Sequence, residues 1–70
     1  LMALVKPQFE AGVERLPKDG VVKDEVVRKQ ILNEVIQHAV THGWKHVETI
    51  LSPIQGKSGN VEFLVYFISN

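Results

Sequence analysis

Two ionisable residues of opposite sign sit at or inside apolar runs of this chain. Lys6 stands in Leu4-Val5-Lys6-Pro7-Gln8-Phe9-Glu10, and Glu62 in Gly59-Asn60-Val61-Glu62-Phe63-Leu64-Val65-Tyr66. A charge buried without a partner is costly, so such a group is normally paired, neutralised or put to use. A lysine shielded by burial or set near another cation can accept or steer a hydroxyl proton, and a cation at that place steadies a developing oxyanion. A carboxylate beside it would orient the ammonium and compensate its charge. The plainer alternatives are a strand-end lysine that snorkels to solvent and a solvated glutamate at the first position of a strand.

The elements around these residues follow from patterning. Leu1 to Val5 is a continuous apolar run, as in a parallel strand covered on both faces. Pro7 removes a backbone donor and restricts Lys6 to extended geometry, so the strand is expected to end near Lys6. Glu10 to Lys23, with Gly12, Pro17 and Gly20 among charged residues, reads as a long exposed connection. Asp24 has the character of an N-cap. Val27, Ile31, Leu32, Val35, Ile36, Ala39 and Val40 then recur at helical spacing, and Gly43 is suited to end the helix with Trp44 folding back on it. His46 to Leu51 is a second strand, Gln55 to Asn60 a turn, and Val61 to Ile68 a third strand.

The helical crossover predicts parallel first and second strands, and the turn makes the third antiparallel to the second. The third strand carries Val61, Phe63, Val65 and Phe67 on one face and Leu64, Tyr66 and Ile68 with Glu62 on the other. So apolar a strand belongs between the other two. Running opposite to the first strand, it brings Glu62 close to Lys6.

Other motifs carry less. Gly56-Lys57-Ser58 has the end of a phosphate-binding loop, but Leu51 stands where that loop needs glycine, and the segment joins two strands. His38 and His42 are four apart on the helix without a third ligand or an intervening glutamate, so they read as surface residues and no metal is expected. Lys18, Lys23 and Lys57 alternate with Glu14, Asp19 and Asp24, a mixed solvated surface, and Phe63, Tyr66 and Phe67 read as core.

Composition bounds the rest. Seventy residues allow one small domain, and such a chain usually needs a neighbour or another support for stability. Eight basic and eight acidic residues give no overall field for nucleic acid or an anionic membrane. The chain has no cysteine, consistent with a reducing, cytoplasmic setting. No apolar run approaches the roughly 20 residues of a membrane helix, and the helix mixes charges of both signs on its polar side, so no membrane partner is expected. A strand that opens at Leu1 is expected of a piece of a longer chain.

Four motifs in order complete the reading: Leu4-Val5-Lys6-Pro7-Gln8-Phe9-Glu10-Ala11-Gly12, Gly20-Val21-Val22-Lys23-Asp24, Ser52-Pro53-Ile54-Gln55-Gly56 and Gly59 to Tyr66. Together they closely resemble the C-terminal part of the TlyA, or hemolysin A, family, which is similar to the FtsJ-type ribosomal RNA methyltransferases. The resemblance implies an α/β fold: the C-terminal part of a Rossmann-like S-adenosylmethionine (SAM)-dependent methyltransferase domain spanning residues 1–70, in strand-helix-strand-strand order, with the last strand antiparallel and central. It implies methylation of a ribose 2′-hydroxyl in ribosomal RNA, with Lys6 as the second lysine and Glu62 as the glutamate of a Lys-Asp-Lys-Glu tetrad. The first lysine, the aspartate and the glycine-rich cofactor loop are absent from this sequence. SAM is therefore expected to be held mainly by the remainder of the domain, and the 70 residues alone to be inactive. Gln8, Phe9, Glu10, Lys57 and Asn60 are further candidates for contact with RNA or ribosomal subunits. The alternative is a non-catalytic RNA-binding or ribosome-associated protein that retains the fold.

Overall fold

The computed structural model describes residues 1–12, 15–56 and 59–69. Its elements are β1 (Met2–Val5), the single-turn helix α1 (Pro7–Glu10), α2 (Glu25–Thr41), β2 (Trp44–Leu51) and β3 (Phe63–Ser69). The sheet order is β1-β3-β2, with β3 antiparallel to both neighbours. β1 and β2 are therefore parallel to each other, as the crossover predicts.

β3 is central because its side chains can be used on both sides. Phe63, Val65 and Phe67 are buried and alternate with Leu64, Tyr66 and Ile68. The first set forms the core with Val5 and Ile36, packed around by Ala3, Leu32, Val35, Ala39, Trp44 and Val61. A register shift between His46 and Glu48 bulges β2 and makes the chain of eight residues fit seven of β3. Strand ends differ from the sequence reading by one or two residues: β2 begins at Trp44 and β3 at Phe63. The expected cover of β1 holds on one face within this chain. Val5 is buried toward the α2 side, while Met2 and Leu4 are exposed with Ile50, Tyr66 and Ile68.

α2 starts where its cap places it. Asp24 is extended, and its Oδ1 accepts from the backbone N–H groups of Val26 at 2.8 Å and Val27 at 3.4 Å. Gly43, at φ 94°, reverses the chain after the helix, a left-handed conformation glycine adopts without a Cβ penalty. Asp24→Ala is expected to lower stability by about 1 kcal/mol, measured by urea unfolding, because two helix-end donors lose their acceptor.

The long connection is not simply exposed. Ala11 and Val22 are buried against Ile31, with Val27 beside them, in a second apolar cluster. Arg15 donates to Glu34 through two nitrogens, at 2.8 and 2.9 Å, tying the loop to α2 and holding the Glu34 carboxyl below its usual range. Isolated apolar residues between glycines and prolines carry no periodic signal, which is why this anchoring escapes a reading of the sequence.

Candidate functional site at the carboxyl end of the first strand

The β1–β3 register pairs Met2 with Tyr66 and ends with Val5 opposite Phe63. Continued by one residue it sets Lys6 opposite Glu62. On the other side of β3, Leu51 lies opposite Phe63, and the Ser52 N–H donates to the Glu62 carbonyl at 2.8 Å. Glu62 is thus fixed by backbone pairing at the point where the two outer strands end.

Pro7 then turns the chain. Lys6 is extended (φ −113°, ψ 96°), as a residue before proline must be, and Pro7 takes the first helical position. The N–H groups of Phe9 and Glu10 donate to the Lys6 carbonyl at 2.9 and 3.2 Å, closing α1. Four residues give no periodicity, so this helix leaves no signal in the sequence. Its consequence is that Lys6, Gln8 and Phe9 all line one cleft of about 510 Å³, with Ser52 to Gly56 and Glu62 as further walls.

Glu62 is 6 % exposed and Gln8 is 8 % exposed. Gln8 Nε2 donates to Glu62 Oε2 at 2.7 Å, a short charge-assisted hydrogen bond. The amide oxygen, Gln8 Oε1, is buried and has no hydrogen-bond partner among the described residues. Gly56 packs on this pair: a Cβ there would overlap Glu62 Oε2 and come within 2.7 Å of its Cδ and 3.0 Å of Gln8 Nε2. The Lys6 ammonium lies 5.3 Å from the centroid of the Phe9 ring, in cation–π range. Lys6 and Glu62 therefore share the cleft, as expected, but no ion pair joins them among the described residues. Gln8 takes the place beside the carboxylate that the sequence reading gave to the lysine.

The remaining candidates are dispersed. Phe9 is 74 % exposed and lines the cleft, as does the open Ile54. Glu10 lines a different groove, with Glu34 and His38 on α2. Asn60 is buried; its Oδ1 accepts from the Val22 N–H at 2.9 Å and its Nδ2 donates to the Gly20 carbonyl at 3.0 Å. It stitches the long connection to the turn before β3. Lys57 lies outside the described residues. His38 and His42 are exposed and close to each other, and no group of three metal-ligating side chains occurs among the described residues. No helix among them is long and apolar enough to cross a membrane.

Lys6 and the buried Glu62 line one cleft where β1 ends, in a sheet whose last strand runs antiparallel between two parallel ones. The family model of the FtsJ-like methyltransferases matches residues 1–68, and the chain belongs to that family. It is 42% identical over 67 residues to hemolysin A of Brachyspira hyodysenteriae, covering 96% of this chain and 28% of that protein. It is 39% identical over 66 residues to the 16S/23S rRNA (cytidine-2′-O)-methyltransferase TlyA of Mycobacterium tuberculosis, covering 94% of this chain and 25% of that protein. A solved structure from Streptococcus thermophilus that carries the hemolysin name superposes with a TM-score of 0.91 at 41% identity, over 97% of this chain and 24% of that one. The chain thus spans about a quarter of the length of these relatives.

Proposed function

We propose that residues 1–70 are the C-terminal portion of a Rossmann-like methyltransferase domain that methylates a ribose 2′-hydroxyl of ribosomal RNA, with cytidine as the target base, in the cytoplasm. The names of the Mycobacterium tuberculosis relative and of a Campylobacter jejuni relative, both cytidine-2′-O-methyltransferases, support the substrate. The observation that carries the reading is the convergence of Lys6 and buried Glu62 on one cleft at the end of the sheet.

Lys6 is the group that meets the 2′-hydroxyl. As a neutral amine it takes the hydroxyl proton when the O–CH₃ bond forms; as an ammonium it stabilises the charge gathering on that oxygen. Glu62 orients Lys6 and balances its charge. Phe9 borders the nucleotide, and its open ring offers a face on which an unpaired base can stack.

SAM supplies an electrophilic methyl group when bound. The residues present do not fit its adenosine portion: the turn that follows β1 is Lys6-Pro7-Gln8-Phe9, without the glycines that let a backbone approach such a ligand. Its seat belongs to the remainder of the domain, and the 70 residues alone are inactive.

The test is incubation of full-length protein with methyl-labelled SAM and ribosomal subunits or naked ribosomal RNA, with alkaline digestion of the product. Label retained in alkali-resistant dinucleotides is expected, because a 2′-O-methyl group blocks cleavage at its own position. Absence of label on every RNA form would replace the enzyme with a non-catalytic RNA-binding protein of the same fold.

A further inference from the structure

Gln8 is buried in the cleft beside Glu62, and among the described residues its amide oxygen has no hydrogen-bond partner. Its amide N–H holds Glu62 Oε2 at 2.7 Å, while its carbonyl Oε1 is shut from solvent without a donor among the described residues. A buried acceptor left unpaired is costly and signals a missing partner. The cleft itself offers a donor. Among the described residues lining it, the only cation is Lys6, and its ammonium rests over the exposed Phe9 ring. Arg15, Lys23 and Lys29 are each committed to a carboxylate elsewhere. Glu62 and Gln8 Oε1 together offer one negative charge and acceptors suited to the three N–H donors of an ammonium.

We propose that Gln8 is the positioning residue of this site: its amide fixes the rotamer of Glu62, and its carbonyl receives the Lys6 ammonium when that group leaves the Phe9 ring for the occupied cleft. This rests on the methyltransferase reading above. Phe9 then has two exclusive uses, holding the lysine in the empty protein and stacking on a nucleotide in the complex. The entering base displaces the ammonium toward the Gln8–Glu62 pair, where it meets the 2′-hydroxyl.

The experiment compares Gln8→Met, Glu62→Gln and the double variant in the full-length protein. Kinetics are read with labelled SAM and RNA, and the folded fraction from SAM-binding stoichiometry. Gln8→Met is expected to lower kcat at least tenfold while KM for RNA and SAM affinity stay within twofold, since Gln8 acts through its neighbours. On the Glu62→Gln background the same substitution should cost less than threefold, because the interaction it serves is already gone. Wild-type kcat in Gln8→Met, or full additivity with Glu62→Gln, would overturn the proposal. Should Gln8→Met lose SAM binding, a crystal structure of the wild-type protein with S-adenosylhomocysteine and a short RNA decides instead. Lys6 Nζ at about 3 Å from Gln8 Oε1 supports it, and an ammonium still over Phe9 refutes it. Lys6→Ala in the same assay separates the two ideas. If that variant is dead while Gln8→Met runs at the wild-type rate, only the role of Gln8 fails. If Lys6→Ala is fully active, the catalytic reading fails with it.

Discussion

Methyl transfer by full-length protein should fall at least a hundredfold on replacing Lys6 with alanine, because a positioned acid–base group typically contributes 10²–10⁴-fold. The loss should appear in kcat, with folding and SAM binding retained. Lys6 is half-buried, and among the described residues its side chain interacts with the exposed Phe9 ring alone. A cation–π contact at so open a place is worth only about 0.5–1 kcal/mol, too little to unfold a domain. Lys6→Arg then distinguishes the two chemical roles. Arginine keeps the positive charge but cannot give up its proton, so it replaces an electrostatic stabiliser in part and a base not at all. An arginine variant as inactive as the alanine variant assigns proton acceptance to Lys6; recovery of tenfold or more assigns charge stabilisation. Turnover by Lys6→Ala within a few-fold of wild type, on RNA that wild type methylates, would remove Lys6 from the mechanism.

The framework around this lysine was legible because each piece rests on a strong local signal. The alternation of Phe63, Val65 and Phe67 with Leu64, Tyr66 and Ile68 demanded a central strand, and that strand is central. Topology alone then carried Glu62 to the end of β1, since an antiparallel partner must start where β1 stops. Asp24 announced its helix through cap chemistry. The site's finer structure has no such signal. Whether Gln8 or Lys6 reaches Glu62 depends on a one-turn helix set by Pro7, and four residues cannot display a period. A glycine in a turn rich in turn-forming residues looks interchangeable with its neighbours. That Gly56 packs on a carboxylate becomes visible only once Glu62 and Gln8 are placed against it. The face of Met2, Leu4 and Tyr66 is exposed within this chain although its residues are apolar, because composition reports that a strand is fit to be buried, not what buries it.

Gly56→Ala should be the most damaging small substitution outside Lys6, although it adds one methyl group. Glycine is not needed here for its backbone, as Gly56 does not lie in the left-handed region that holds Gly20, Gly43 and Gly59. On backbone grounds alone alanine would stabilise the fold by about 0.4–1 kcal/mol through the unfolded chain. Space decides against it. The new methyl meets Glu62 Oε2 and Cδ and the nitrogen of Gln8, and neither backbone can retreat. The Gly56 N–H is held by the Asn60 carbonyl at 2.8 Å, and the Glu62 carbonyl by the Ser52 N–H at 2.8 Å. The carboxylate itself must move, at an overpacking cost of about 1–3 kcal/mol. Its charge-assisted bond to Gln8 contributes roughly 1.5–3 kcal/mol more when lost. Both exceed the backbone gain, so urea unfolding should show net destabilisation. Turnover should fall on the order of a hundredfold, as a catalytic geometry displaced by 1 Å can lose that much. The sign of the stability effect should invert in a Glu62→Ala background, where the truncated side chain leaves room for the methyl, the Gln8 amide is released to give way, and the gain in backbone entropy prevails. Unchanged stability and turnover in Gly56→Ala alone would mean that Glu62 does not occupy the seat between Gln8 and Gly56.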